Sequence, residues 1–456
     1  MNTNPIYFKK TFAILTSVIC LSFYCSFGQH AESGKATTSS KTIVLANAGD
    51  VTIAAAPDDK QVKIELTKVK QKMSQNTPAM LQRIGYWDAG APAYRWNQIG
   101  YQLTGAQFFV NNGLTFFKSP MAWMNMAIYD ATVAALKAKQ QASRKRPSEV
   151  DASIVPVVNA PATYSYPCEH AVTAGAAATV LAHFFPEVAD SIIALGNQAA
   201  ESRVAAGVQF PSDIEQGWKL GEQVAAKVIE KSKTYLPDAP WAGNQPNDSK
   251  HWKGPYPVGA ITTTFKPLVL KTGDQFRPTA PPDFTKEMDQ MKNFKQNFYT
   301  VSQAYYWAGH SGLDIWTELA STKIFENHLD RNTLECARIY AMLHMGIYDC
   351  AIGIMDAKYA YFGIRPDQMD PNYKPLIGHT PPFPGYPSGH ATASATAAAI
   401  LSHFFPQDAP MFKQLAQECA DSRFYAGIHF PTDNNVGLDM GEKIGDYIFA
   451  TLSKRM

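Results

Sequence analysis

The sequence is poor in charged residues and in cysteine. Only 18% of its 456 residues are Asp, Glu, Lys or Arg, whereas 46% are hydrophobic and 12% aromatic. This composition excludes a disordered, collagen-like or coiled-coil chain, and the length allows one large domain or two to three ordinary ones. Of the six cysteines four follow residue 28, and their wide spacing favours single buried thiols over a zinc site: Cys168, Cys336, Cys350 and Cys419.

An excess of basic residues and long apolar runs are also lacking. The formal net charge is +2, and Lys9 and Lys10 supply both units within a segment that has no acidic residue, so the rest of the chain is balanced. A nucleic-acid-binding protein needs a basic face that neutralises phosphates. Beyond residue 28 there is no run of about 18 apolar residues, the length that a membrane-spanning helix needs. We therefore expect no nucleic-acid partner and no transmembrane span in the mature chain.

Residues 1–28 have the pattern of an export signal. Lys9 and Lys10 precede an apolar stretch that ends in the small residues Ser26 and Gly28, which is typical of a secretory signal peptide. We expect the signal to span residues 1–28, and cleavage near Gly28 is preferred over lipid attachment at Cys25. The mature protein is then periplasmic or secreted.

The chain contains an internal duplication at an offset of about 220 residues. The matching segments include Tyr86-Trp87 with Tyr306-Trp307, Tyr129-Asp130 with Tyr348-Asp349, Tyr166-Pro167 with Tyr386-Pro387, and Phe210-Pro211 with Phe430-Pro431. Each copy has Ala-rich segments with helical spacing, bounded by Pro and Gly. We predict an all-α fold of two tandem helical bundles, over residues 80–232 and 301–456. The Pro- and aromatic-rich stretch 233–300 is predicted to be a linker with extended structure that packs across both bundles.

Residues repeated by the duplication are interpreted first as structural. Trp87 and Trp307 recur at equivalent positions, as do Trp96 and Trp316, which favours packing over substrate contact. His183 and His403 lie within apolar helical segments, and we expect both to be core histidines.

The C-terminal copy carries residues suited to binding an oxyanion. Lys358 and Arg365 are seven residues apart, so two helical turns place both cations on one side. Ser388 and Gly389 precede an Ala-rich helix, whose free N–H groups and dipole favour an anion. The planar fork of Arg423 suits a tetrahedral oxyanion.

Two histidines supply reactive groups beside these cations. His429 is a candidate nucleophile or metal-oxo ligand, and His390 is a candidate proton donor. Asp433 follows His429 by four residues and could accept the other imidazole N–H, which would fix the tautomer. The sequence therefore predicts a nucleophile, an acid, an orienting carboxylate and a cationic clamp in this copy.

These residues resemble the signature of the superfamily of type-2 phosphatidic acid phosphatases, bacterial acid phosphatases and vanadium-dependent haloperoxidases. The signature is Lys, six residues, Arg-Pro, then Pro-Ser-Gly-His, then Ser-Arg, five residues, His, three residues, Asp, and every position is met. The resemblance implies a haloperoxidase-like pair of bundles in which His429 attacks phosphorus or ligates vanadium, His390 is the acid-base and Asp433 orients His429. It also implies an oxyanion-binding set: Lys358, Arg365, Ser388, Gly389 and Arg423.

We expect a phosphate-monoester hydrolase that forms a phosphohistidine and needs no cofactor. The alternative is a vanadate-dependent haloperoxidase that oxidises halide with hydrogen peroxide, in which case His429 is the metal ligand. Two features favour the phosphatase: Met355 stands where many haloperoxidase-like sequences have Trp, and only 31 residues separate His390 from Ser422. A non-catalytic anion-binding scaffold is the third hypothesis.

The N-terminal copy has the pattern of a decayed site. Matching residues are Lys139, Arg146, His170, Arg203 and Asp213. However, Gln209 replaces the nucleophile, and Cys168-Glu169 replaces Ser-Gly. Because glutamine cannot form a phosphohistidine and a carboxylate repels an oxyanion, we expect a structural copy without activity.

Overall fold

The computed structural model describes residues 40–106, 114–254, 256–309 and 314–456, so the predicted signal peptide lies outside the described residues. The regular elements of these ranges are helices, and one isolated β-bridge pairs His251 with Gly363. The predicted all-α fold is confirmed. In chain order the α-helices are α1 Asp59–Ser74, α2 Pro78–Asp88, α3 Pro92–Ala106, α4 Leu114–Phe117, α5 Pro120–Ala142, α6 Pro147–Val150, α7 Glu169–Phe184, α8 Ala189–Ala205, α9 Pro211–Tyr235, α10 Thr285–Asn293, α11 Phe298–Gly309, α12 Asp314–Glu326, α13 Thr333–Tyr361, α14 Pro366–Met369, α15 Gly389–Phe404, α16 Ala409–Tyr425 and α17 Pro431–Leu452.

Local sequence sets where the helices of each copy begin. Helices α9 and α17 start at Pro211 and Pro431, where the missing N–H of proline is harmless and its fixed φ suits a helix. The third residue of each, Asp213 or Asp433, accepts the N–H of the residue before the helix. Both carboxylates are thereby held at the N-terminus of a helix.

The two copies share one hydrophobic core. Helices α5 and α13 are buried along most of their lengths, pack against each other, and contact α7 and α15 respectively. Small residues allow close helix packing: a Cβ added to Gly221 would lie 2.3 Å from the Val172 carbonyl oxygen, and one on Gly441 would lie 2.2 Å from that of Thr392. The small residues of these helices therefore allow tight packing of α7 against α9 and of α15 against α17.

Within the described ranges, no single helix combines the length and the apolar composition needed to cross a bilayer. One bent pair, Glu169–Phe184 with Pro186–Ala205, has both by length and composition, with an angle of 120° between its helices.

The stretch between the copies is fixed mainly to the C-terminal half. The backbone N–H groups of Leu268, Val269 and Leu270 all donate to the buried carboxylate of Asp349. In the N-terminal copy Asp130 holds residues 43–45 in the same way, which explains why the Tyr-Asp pair is repeated. The described residues of the stretch between the copies form no strand; the 3-10 helix Ala260–Thr264 and helix α10 interrupt its extended parts.

Two of the packing expectations are met and one is wrong. The four repeated tryptophans are buried, and the four cysteines are buried free thiols. By contrast His183 and His403 are exposed. His403 stacks on Phe449 and bonds to Asp446, so the apolar helix around it presents this position to solvent.

Candidate active site

The end of α13 and the loops before α15 and α17 place the predicted site residues. Lys358 lies in the last turn of α13, which stops at Phe362 in the left-handed conformation, and Arg365 directly precedes α14. Ser388 caps α15, while Asp433 lies in the first turn of α17. The structure brings these separate segments together in one region, in which Arg423 and His429 are buried and Gly389 and His390 are half-buried.

Lys358 organises the loop that leads into α15. Its ammonium donates to the carbonyl oxygens of Pro384, Gly385 and Pro387, each at 2.7 Å. These three bonds use all three ammonium N–H groups. Burial, together with the charge of Arg365, lowers the pKa of Lys358 well below its usual value. In this arrangement Lys358 contributes its charge and fixes the loop rather than donating directly to a ligand.

Arg365 has one donor left without a partner. Its Nη1 donates to the Ile428 carbonyl oxygen at 2.8 Å and lies 3.0 Å from Nε2 of His429, and its Nε donates to the Phe383 carbonyl oxygen. Nη2 is buried and has no hydrogen-bond partner among the residues that the structure describes. Such an orphaned charged donor is unfavourable in a protein interior, so a ligand that accepts from it would stabilise the site.

The guanidinium of Arg423 is held by its own helix and by α11. Nε donates to the Ser422 hydroxyl and Nη2 to the Ala304 carbonyl oxygen, both at 3.0 Å. Burial lowers the pKa of both Arg365 and Arg423 to about 10, because a charge is poorly solvated inside a protein. Both arginines nevertheless remain cationic at neutral pH.

His429 is oriented by Asp433. Its Nδ1 lies 3.0 Å from Oδ2 of Asp433, and the imidazole is 2% exposed. Burial, reinforced by Arg365 and Lys358, keeps the pKa of His429 well below its usual value, so the ring is neutral. With its proton on Nδ1 and shared with Asp433, the lone pair of Nε2 is directed toward Arg365. This is the tautomer that a nucleophile or a metal ligand requires.

His390 is the second histidine of the site. Its Nε2 is buried and finds no hydrogen-bond partner within the described ranges. Burial, followed by the charges of Arg423, Arg365 and Lys358, lowers the pKa of His390 to about 3. A negative ligand nearby would raise that pKa again, because an opposite charge favours the protonated form.

Positive charge is in excess in this copy. Within the described ranges no carboxylate lies within salt-bridge distance of Lys358, Arg365 or Arg423; the fully buried Asp433 contacts His429 instead. Asp433 and Asp367 act on Arg365 only from a greater distance. Buried charges need counter-charges, so this arrangement suits a multiply charged anion.

In the N-terminal copy the equivalent cations are neutralised internally. Glu169 lies 2.7 Å from Nζ of Lys139 and 3.2 Å from Nη2 of Arg146, and Arg203 pairs with Asp88 at 2.8 Å. The Glu169 carboxylate thus forms ion pairs with two of the cations that an oxyanion would otherwise contact.

Two features of the sites were missed in the sequence. Arg144 is buried and pairs with both Asp213 and Glu65, each at 2.6 Å. In the C-terminal copy Glu287 accepts the N–H and hydroxyl of Thr432 and so ties α10 to the start of α17. Glu65 and Glu287 lie before the first of the matching segments of each copy, and Ser212 and Thr432 donate to them in the same way.

Comparisons with known proteins agree with this arrangement. The model of the PAP2 superfamily matches residues 121–233 and 337–456, once in each copy. The crystal structure of a bacterial vanadium-dependent iodoperoxidase is similar with a TM-score of 0.61 at 20% identity, covering 79% of this chain and 97% of that one. A holo-type bacterial vanadium-dependent chloroperoxidase gives a TM-score of 0.56 at 14% identity, covering 75% and 92%. Likeness at these identities concerns the fold. No curated protein sequence matches the chain.

Proposed function

Because the chain belongs to the PAP2 superfamily, whose members include phosphatases and vanadium haloperoxidases, we propose that its C-terminal copy hydrolyses phosphate monoesters. The observation that carries this proposal is a set of three buried cations that have no salt-bridge partner among the described residues and lie beside a neutral, oriented histidine. A phosphate dianion supplies the missing negative charge, and its phosphorus is the electrophile that the unprotonated Nε2 of His429 can attack once the anion has drawn Arg365 into contact with its own oxygens.

The first chemical step transfers the phosphoryl group to His429. Nε2 forms a bond to phosphorus as the bond to the leaving oxygen breaks, and His390 gives that oxygen its proton. The dianion itself raises the pKa of His390 and so prepares it as the acid. Asp433 stabilises the positive charge that develops on His429.

The cations act on the equatorial oxygens during both steps. In the part of the chain that the structure describes, Nη2 of Arg365 is a buried donor without a partner; Arg423 and the first N–H groups of α15 complete the clamp. In the second step neutral His390 takes a proton from water, which attacks phosphorus and releases inorganic phosphate from His429. The substrate is a small-molecule phosphate ester.

A vanadate-dependent haloperoxidase is the second candidate, and the same orphaned donor favours it. The site fits vanadate, a phosphate analogue: His429 would be the metal ligand, while Arg365, Arg423, Ser388, Gly389 and the charge of Lys358 would hold the oxygens. Bound vanadate supplies activation of hydrogen peroxide for halide oxidation. The role of this chain is then to orient His429, balance the negative oxygens and hold a proton at His390.

Added vanadate separates the two activities. As a phosphatase, the protein hydrolyses p-nitrophenyl phosphate, micromolar vanadate inhibits competitively because it resembles the transition state, and little iodide or bromide oxidation follows with peroxide. The opposite result, halide oxidation that grows with vanadate and falls when phosphate displaces it, would support the second candidate and contradict the first. Absence of both activities would leave an anion-binding scaffold.

We also propose that the protein is exported, on the strength of the signal pattern in residues 1–28. Cell fractionation together with N-terminal sequencing of the mature protein tests this. The proposal requires a periplasmic or secreted protein that begins near residue 29. Retention in the cytoplasm with an intact N-terminus would contradict it.

A further inference from the structure

Glu169 contacts the groups that would otherwise hold an anion in the N-terminal copy. Its Oε2 lies 2.7 Å from Nζ of Lys139, its Oε1 lies 3.2 Å from Nη2 of Arg146, and Nε2 of Gln209 donates to Oε2 at 3.3 Å. The residue is 8% exposed. The two cations pull the pKa of Glu169 well below its usual range despite its burial, so the carboxylate is ionised.

The residues that Glu169 contacts are the equivalents of three members of the predicted site in the other copy. Glu169 stands at the position of Gly389, Lys139 and Arg146 at those of Lys358 and Arg365, and Gln209 at that of His429. At Gly389 an added Cβ would lie 3.9 Å from Cε of Lys358, with no clash. A side chain at this position therefore extends toward the lysine, into the space that a glycine leaves open.

A histidine and a small cavity lie beside the ion pairs of the N-terminal site. His170, at the position of His390, is 8% exposed; its ring interacts with the backbone of Trp87, and one ring nitrogen has no hydrogen-bond partner among the described residues. A cavity of about 10 Å³, roughly the space that one water molecule needs, is lined by Lys139, Thr163 and Glu169 among others. It is too small for a tetrahedral oxyanion, so the space for one must come from removal of the Glu169 side chain.

We propose that the N-terminal copy is a self-liganded oxyanion site, in which the Glu169 carboxylate takes the place of a tetrahedral oxyanion and removal of its side chain opens a second site for phosphate or vanadate. The charges support this assignment, because every buried cation of this copy has a carboxylate partner, unlike those of the C-terminal copy. In the unmodified protein this half takes up no anion, and its ion pairs form without any ligand.

The substitution Glu169→Gly tests the proposal on the full chain, because it restores the residue found in the other copy. Equilibrium dialysis with labelled inorganic phosphate should show one more equivalent bound per chain than in the unmodified protein. Adding Lys139→Met to this variant should remove that equivalent. Glu215→Gln is the matched control, since Glu215 is 63% exposed in its ion pair with Lys219, and it should leave the number unchanged.

The difference in bound equivalents does not depend on whether the C-terminal copy is a phosphatase, a haloperoxidase or neither. A folded Glu169→Gly protein that binds the same number of equivalents as the unmodified chain would overturn the proposal. If the variant does not fold in phosphate-free buffer, the proposal requires inorganic phosphate to restore its helical circular dichroism, because the anion replaces the lost carboxylate. Failure of phosphate to restore that signal would equally overturn it.

Discussion

Asp433→Asn should suppress turnover while leaving anion binding intact. The carboxylate lies 3.0 Å from His429 and is fully buried. In the proposed mechanism His429 becomes a phosphohistidine with a cationic ring, and Asp433 is the buried carboxylate in contact with that ring. A charge pair about 4 Å apart is worth about 4 kcal/mol at an effective dielectric constant of about 20. Since about 1.4 kcal/mol corresponds to a factor of ten, kcat should fall by about 10³-fold.

Binding of the substrate should respond in the opposite direction. Asn removes a negative charge from a site in which positive charge is already in excess, so KM for p-nitrophenyl phosphate should stay the same or decrease. The assay is steady-state hydrolysis of that ester, with circular dichroism to verify folding. A variant that retains more than about a tenth of the unmodified kcat, or whose loss lies wholly in KM, would refute the reasoning.

The duplication offers a matched control in Asp213→Asn. Asp213 occupies the same position in α9 but pairs with Arg144 and Ser165 rather than with a histidine. Breaking a buried ion pair should lower the free energy of unfolding by on the order of 3 kcal/mol. Because no reacting group is involved, kcat of the folded protein should be unchanged.

Three further predictions concern protonation and packing. Sulfate, a tetrahedral anion that does not titrate near neutrality, should bind more weakly as the pH rises from 5 to 8, because its binding raises the depressed pKa of His390 and so takes up a proton. In titration calorimetry the affinity of His390→Asn for sulfate should depend less on pH than that of the unmodified protein. Equal dependence of the two affinities on pH would count against proton uptake at His390. Burial lowers the pKa of His344 to about 3, so the folded state binds fewer protons than the unfolded chain below pH about 6.5 and is destabilised as the pH falls. From pH 8 to pH 5 the free energy of unfolding in urea should fall by about 2 kcal/mol more for the unmodified protein than for His344→Gln. The same dependence of that free energy on pH in both proteins would contradict this. Gly441→Ala and Gly221→Ala each place a methyl group against a backbone carbonyl oxygen. Each substitution should lower the free energy of unfolding by about 1–3 kcal/mol and therefore the midpoint of thermal unfolding. An unchanged midpoint would mean that the helices move apart without strain.

Most of the fold could be predicted because the sequence repeats itself. The constant offset between Tyr129-Asp130 and Tyr348-Asp349 indicates two equivalent units, and Ala-rich helical spacing predicts how each is built. Periodicity did not show that α5 and α13 join both copies in one core, because apolar spacing gives the buried face of a helix but not its partner. It also placed His183 and His403 in the core, whereas both lie on the exposed side of their helices.

The members of the candidate site could be named from motif spacing, but their contacts could not. The resemblance implies that Lys358 helps to bind the oxyanion, but motif spacing does not show that its three donors bond to loop carbonyls. The ion pairs of Glu169 depend on where α7 places its first turn relative to Lys139 and Arg146. Glu65 acts on Arg144 from 79 positions away, and no local pattern indicates such a pairing.

The proposed function requires that turnover takes place at His429 in the C-terminal copy and not at the equivalent position, Gln209, of the N-terminal copy. The most direct test compares His429→Gln, which creates the residue of the other copy, with Gln209→Ala, using whichever activity the protein shows toward p-nitrophenyl phosphate or toward iodide with vanadate and peroxide. Both proteins must first be shown to fold, since both positions are buried. Turnover should fall to background in His429→Gln and remain within about twofold of the unmodified protein in Gln209→Ala. Comparable losses in the two variants, or substantial turnover in His429→Gln, would contradict the account.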